Sequence, residues 1–223
     1  RLVGSEMCIR DRTYKPEKSW NYEVGAHLST PSHKVQADLA LFYIDCRDQQ
    51  LTVFPEGQVT GRLMTNAGRT RSFGGEASLL ATLWRNLDLQ VAYGYTRATF
   101  VKFDTGKADY AGNFIPYAPQ HTLYAGASYT LRTGWNWLEY VIFRVAANGA
   151  GRIYWNEANT FSQPFYALLE ASIRFEHRHW AVDVWGRNLT DTRYDTFYFM
   201  SIGNSFLQRG RPRTFGVSLS ITL

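Results

Sequence analysis

The stretch "RTFGVSLSITL", residues 213–223, decides how the chain folds. Phe215, Val217, Leu219, Ile221 and Leu223 fall on one side of an extended chain, and Thr214, Gly216, Ser218, Ser220 and Thr222 on the other. Successive side chains of a strand point to opposite faces, so this is one wholly apolar face backed by one of small and polar groups. A helix would need apolar residues three and four apart, and the stretch does not supply them.

The same alternation recurs along the chain. Phe165, Ala167, Leu169, Ala171, Ile173 and Phe175 oppose Glu170, Ser172, Arg174 and Glu176, with Leu168 the exception. Leu123, Ala125, Ala127, Tyr129 and Leu131 oppose Thr122, Tyr124, Gly126, Ser128 and Thr130, and Leu87 to Tyr95 repeats the pattern. Weaker versions run from Trp20 to Leu28, Val35 to Tyr43, Gly75 to Leu83 and Trp180 to Val184. Alternation from Leu63 through Trp84 and from Leu87 to Phe103 predicts strands much longer than the usual ~5–6 residues of soluble sheets.

Connections differ in length at the two ends. Short ones carry turn residues, at 30–34, 85–86, 132–135 and 176–179. Long ones, near 46–60, 102–118, 148–163 and 195–210, are rich in Gly, Asn, Tyr and Arg. Short turns at one end and long loops at the other are the pattern of an up-and-down barrel in an outer membrane. The fold class read from the sequence is therefore all-β: a transmembrane antiparallel barrel, represented here by about nine strands. Trp20, Tyr22, Trp84, Trp135, Trp137 and Trp180 are read as an interfacial girdle beside the short turns.

Composition agrees with this reading. Aromatic residues make up 16% and charged residues 19%, below the usual quarter for the latter. Apolar content is 45% with no run long enough for a spanning helix, which strands with every second residue apolar do not require. The formal charge of +5 is dispersed, so nucleic acid is not an expected partner. Cys8 and Cys46 have no metal-ligand spacing. No GxSxG elbow, HExxH, phosphate-binding glycine loop or spaced Cys/His set is present, so neither an enzyme nor a cofactor is expected.

Four phrases in order carry a family resemblance: "NAGRTRSFGGEASLL" at 66–80, "IPYAPQHTLYAGASY" at 115–129, "VWGRNLTDTRYDT" at 184–196 and the terminal "GRPRTFGVSLSITL". From about Lys15 to Leu223 the chain resembles the C-terminal part of the barrel of TonB-dependent outer-membrane receptors. Residues 1–12, "RLVGSEMCIRDR", resemble translated sequencing-adapter read-through and are set aside as non-native, leaving 13–223 as barrel.

The resemblance implies a Gram-negative outer-membrane location and TonB-energised import of a scarce ligand. An iron-siderophore complex comes first, then vitamin B12 or an oligosaccharide. It implies outer-membrane lipid as surroundings, and contact with TonB through an N-terminal plug absent from this sequence. The strand Phe215 to Leu223 resembles the signal read by the barrel assembly machinery, though it ends on Leu223 rather than an aromatic residue. Alternatives from other classes are an outer-membrane barrel enzyme, a porin-like channel and a soluble carbohydrate-binding sandwich.

Individual residues carry further expectations. Gly74 and Gly75 are expected to form a bulge or bend, and Glu76 with Ser78 to face the lumen. Asp88, Glu170, Arg174, Asp183 and Arg187 are expected to line the lumen and pair across strands. Asn188, Thr190 and Asp191 are read as backbone-binding residues at a strand exit. Candidate contacts to a small-molecule or metal-chelate ligand are the loop residues Tyr110, Phe114, Tyr117, Tyr154, Trp155, Asn156, Phe161, Tyr198, Asn204, Arg209 and Arg211. Aromatic rings and guanidinium groups suit a large, planar, anionic chelate, although such rings equally pack loops on one another. His177 and His179 offer too few ligands for a closed metal site.

Overall fold

In the computed structural model, residues 15–53, 63–105, 108–201 and 204–222 are described, and no helix occurs among them. The strands are β1 (Lys18–Ser29), β2 (Val35–Val53), β3 (Leu63–Leu83), β4 (Leu87–Lys102), β5 (His121–Trp135), β6 (Leu138–Ala150), β7 (Ile153–Tyr154), β8 (Ser162–Gln163), β9 (Tyr166–His177), β10 (Trp180–Arg187), β11 (Asp195–Ser201), β12 (Asn204–Arg209) and β13 (Thr214–Ile221). Nine of them form one antiparallel meander in the order β1-β2-β3-β4-β5-β6-β9-β10-β13. The remaining strands make two small hairpins, β7-β8 and β11-β12, inside long loops. Among the described residues β1 and β13 each pair on one side only, so the nine strands do not close into a barrel.

Register makes the local alternation global. Val24 lies opposite Leu41, which lies opposite Gly75, then Tyr95 and His121. One step toward the short turns, Ala26, Leu39, Ala77, Tyr93, Leu123, Gly149 and Ala167 continue as a single row. Phe143 meets Ile173, Ile173 meets Val184, and Val184 meets Val217. A slip of one residue in any ladder would turn that strand's apolar set to the other face, so the register is strongly specified.

This face is apolar and uncovered. Val24, Leu41, Leu39, Val91, Val145, Val184, Val217 and Leu219 are all exposed on it. The opposite face is polar and concave, carrying grooves lined by Glu23, Asp38 and Glu76 toward one edge, and by Gln90, Glu170 and Asp183 toward the other. A sheet whose apolar side meets no protein has its buried core elsewhere. Here a small cluster of Phe100, Phe103, Tyr110 and Ile115 sits at the loop end.

The short turns join β1 to β2, β3 to β4, β5 to β6 and β9 to β10. His33 in the first and Trp84 in the second take positive φ, 54° and 51°. The third differs from expectation. Strand pairing persists to Trp135 opposite Leu138, so the reversal is at Asn136 and Trp137, with Gly134 at φ 76° absorbing a register shift. The expected loops at 46–60 and 195–210 are partly strand, since β2 runs on to Val53 and β11-β12 fills most of the last one.

Two other expectations are corrected by the strand directions and ladders. Trp20 and Tyr22 begin β1, and the short turn follows its far end, so they lie at the long-loop end of the sheet. Trp84, Trp135, Trp137 and Trp180 do lie beside short turns, and Trp135 stacks on Trp137 at 5.3 Å between ring centroids. The aromatics thus form two belts, one per end. Gly74 and Gly75 sit in an unbroken ladder, and the register shift of β3 against β4 is at Arg69/Thr70. Glycine at 74 answers a close approach instead, because a Cβ there would strike the Tyr95 carbonyl and the Phe42 ring.

Candidate ligand-binding site

The connections at the long-loop end pack into one aromatic cluster. After β4 the chain folds back, pairing Phe114 with Thr99 and bonding Ile115 N–H to the Ala98 carbonyl, until Pro116 ends the pairing. Tyr117, at φ 63°, donates its N–H to the Tyr154 carbonyl, which ties this loop to the one bearing β7-β8. Its ring meets Trp155 at 5.4 Å and stacks on Phe197 at 5.6 Å, and its hydroxyl donates to the Tyr198 carbonyl at 2.9 Å. Phe114 stacks on Tyr154 at 5.4 Å, and Phe161 on Tyr198 at 4.7 Å.

Asparagines hold the backbone in place beneath these rings. Asn159, at φ 55°, accepts the Phe114 N–H at 2.7 Å and donates to the Phe114 carbonyl at 2.9 Å. Asn113 donates to the Glu157 carbonyl at 2.9 Å. Asn156 accepts the N–H groups of Thr160 and Phe161, closing a turn upon itself. At the exit of β10, Asn188 accepts the Thr192 N–H and donates to the Thr192 and Arg211 carbonyls, while Asp191 accepts the Arg213 N–H. Thr190 reaches the Thr192 hydroxyl rather than the backbone.

Of the sequence candidates, Phe114, Tyr117, Tyr154, Trp155, Phe161 and Tyr198 therefore meet in one place. Within the cluster Trp155 and Tyr198 are buried to 7% exposure, whereas Tyr117 at 46% and Phe161 at 40% present ring surface to solvent. Tyr110 lies against Phe103 in the separate small core. Asn204 and Arg209 are exposed on β12, and Arg211 is exposed just beyond it. Sequence reasoning missed Asn113, Asn159 and Phe197. Only the tolerance of Asn for positive φ, in "NEANTF", hinted at the second.

Electrostatics divides the loops from the sheet. Burial pushes the Glu157 carboxyl above the usual carboxylate range, partly opposed by a hydrogen bond to its backbone. On the concave face Arg174 pairs with Glu176 along its own strand rather than across it. Asp183 faces the same concavity, and its Oδ1 is buried with no hydrogen-bond partner among the described residues. His177 and His179 lie 5.8 Å apart at the β9-β10 turn, and no three potential metal ligands cluster among the described residues.

An antiparallel meander with one uncovered apolar face, short turns at one end and packed loops at the other is the wall of a membrane barrel. A family model described as "TonB dependent receptor-like, beta-barrel" matches residues 5–189, and the chain belongs to that family. The family is one of receptors. The Pesticin receptor of Yersinia pestis is 28% identical over 216 residues, covering 94% of this chain and 30% of that protein. The ferrichrome outer membrane transporter/phage receptor of Escherichia coli K12 is 24% identical over 173 residues, covering 78% and 22% respectively. Among solved structures, the ferric yersiniabactin uptake receptor FyuA from Yersinia pestis superposes with a TM-score of 0.77 at 25% identity, over 92% of this chain and 30% of that one. The chain spans less than a third of the length of these relatives.

Proposed function

We propose that residues 13–223 are the C-terminal portion of the barrel of an outer-membrane receptor of a Gram-negative cell, which imports a ferric siderophore with energy delivered by TonB. The observation carrying this reading is the joint presence of a lipid-ready outer face and an aromatic loop cluster, in a chain similar over nearly its whole length to a ferric yersiniabactin uptake receptor.

Within this reading, lipid covers the Val24, Leu41, Val91 and Val217 face. The remaining wall and the plug come from the rest of the receptor. The plug contacts TonB and sits within the water-filled lumen that the concave face lines, where the buried Asp183 Oδ1 has no hydrogen-bond partner among the described residues. Exposed Tyr117, Phe161, Arg209 and Arg211 meet the chelate, while buried Trp155 and Tyr198 hold their loops in position. The β13 strand from Phe215 serves the barrel assembly machinery, although Leu223 itself lies outside the described residues. No catalytic step is assigned to any residue.

Uptake of radiolabelled iron by cells carrying the full-length receptor tests the proposal. Uptake of a ferric siderophore that requires TonB and falls in a Tyr117→Ala/Arg211→Ala variant supports it. Uptake indifferent to TonB overturns it.

A further inference from the structure

On β10 the concave face carries Asp183, Trp185 and Arg187 in one column, because Val184 turns outward to meet Val217. The Trp185 indole rests against the backbone of Gly216, its partner across the ladder, where a Cβ would overlap the ring. Its N–H donates to the Ser218 hydroxyl at 3.2 Å, which fixes the ring from a second side. The Arg187 guanidinium sits over that ring, 4.8 Å from its centroid. Arg187 is exposed and forms no salt bridge among the described residues. A guanidinium stacked on an aromatic face keeps its in-plane N–H donors for an acceptor.

The pair lines a groove of ≈490 Å³ whose other walls include the small side chains of Ser128, Ala146 and Ser172, which leave room for a second ring beside the indole. Charge around the pair selects what it can hold. Arg144 is the other cation of the lining, but Glu170 and Asp183 line the same groove, and the Asp183 Oδ1 is buried without a partner among the described residues. Carboxylates sharing the groove disfavour a polyanion. A single anionic oxygen carried on a planar ring suits it better, with the oxygen at the guanidinium and the ring against the indole.

We propose that Arg187 and Trp185 form a lumen-wall site for a planar aryl group bearing one anionic oxygen, a carboxylate or a phenolate, and that the site receives this part of the imported chelate below the loop cluster. The inference rests on the import reading above. Its place favours the chelate over a segment of the plug. Asn188, the next residue of the chain, donates to the Arg211 carbonyl, so the site opens directly beneath a loop on which the chelate is caught.

The test titrates the full-length receptor in neutral detergent with para-fluorobenzoate, read by fluorine NMR, with para-fluorobenzamide as the neutral comparator and inorganic phosphate as the ringless one. We expect the acid to bind about tenfold tighter than the amide, and Arg187→Gln to weaken it by about the same factor, the size of one lost charge-assisted hydrogen bond. Gly216→Ala, which keeps both side chains but pushes the indole aside, should weaken it too. Arg174→Gln, on β9 and paired with Glu176, should not, nor should Tyr117→Ala in the loop cluster. Unboiled gel mobility verifies folding of each variant, and Trp185→Leu replaces Gly216→Ala if that variant does not fold. No binding by the wild type, as when the plug fills the groove, overturns the proposal. So does equal affinity for acid and amide, displacement by inorganic phosphate, indifference to Arg187→Gln, or loss in Tyr117→Ala. Iron uptake indifferent to TonB overturns the import reading instead, and leaves the binding result standing.

Discussion

The Tyr117 hydroxyl donates to the Tyr198 backbone carbonyl at 2.9 Å, across 81 residues of sequence. This bond joins the β4-β5 loop to the β11-β12 hairpin, and the Tyr117 ring contacts Trp155 in the loop between them. Tyr117→Phe should remove one hydrogen bond and cost the loop assembly about 0.5–1.5 kcal/mol. Tyr117→Ala also removes the contacts with Trp155 and Phe197 and should cost more. Hydrogen exchange across 151–165 and 195–209 should quicken in that order while exchange within β5 and β6 stays unchanged.

Asn159 satisfies both backbone groups of Phe114. Asn159→Ala should leave both unpaired and place a residue ill-suited to φ 55° there, a loss of about 2–3 kcal/mol. Limited proteolysis should then cut preferentially between Phe103 and His121. Asn159→Gly, which accepts the backbone angle but not the hydrogen bonds, should recover only part of the loss.

Glu157 gives the loops a pH dependence of defined sign. Burial raises its carboxyl, so the folded loops hold that proton more tightly than the unfolded chain does. The stabilisation is full below the ordinary glutamate range and is lost as pH rises through the raised value. Protection of 151–165 from protease should therefore decline from acidic to neutral pH. Glu157→Gln should flatten that profile near its acid limit.

Leu39 occupies a central row of the outward face, and Ser78 lies on the concave side beside Asp38, to which it donates a hydrogen bond. Leu39→Arg in a reconstituted receptor should cost about 2–4 kcal/mol in denaturant unfolding from bilayers. Ser78→Ala should cost about 1 kcal/mol, the worth of its hydrogen bond. Equal small effects at both positions would mean that lipid does not cover the Leu39 face.

The strands were legible because their signal is local: Leu87 to Tyr95 alternates within one strand, and register then copies that alternation to Leu123 and Ala125 next door. The belts were less legible, since Trp20 looks like Trp84 until strand direction assigns them to opposite ends. Gly74 and Gly75 look like a bulge in sequence, and only the neighbouring Tyr95 carbonyl explains glycine at 74 within a regular ladder. In the loops, residue type pointed to Tyr117 and Trp155 alike. Yet Trp155 is buried while Tyr117, which contacts Trp155 and Phe197, stays 46% exposed, a difference that no spacing encodes.

The central claim is that hydrocarbon covers the apolar face and water the concave one. Nitroxide labels placed singly at each position from Leu87 to Tyr95, in a full-length receptor without native cysteines and reconstituted in vesicles, read this directly through collisions with oxygen and with a water-soluble nickel chelate. Oxygen accessibility should peak at positions 87, 89, 91, 93 and 95, with nickel accessibility highest at 88, 90, 92 and 94. Nickel accessibility equal along the whole strand, or highest at the odd positions, would contradict the account.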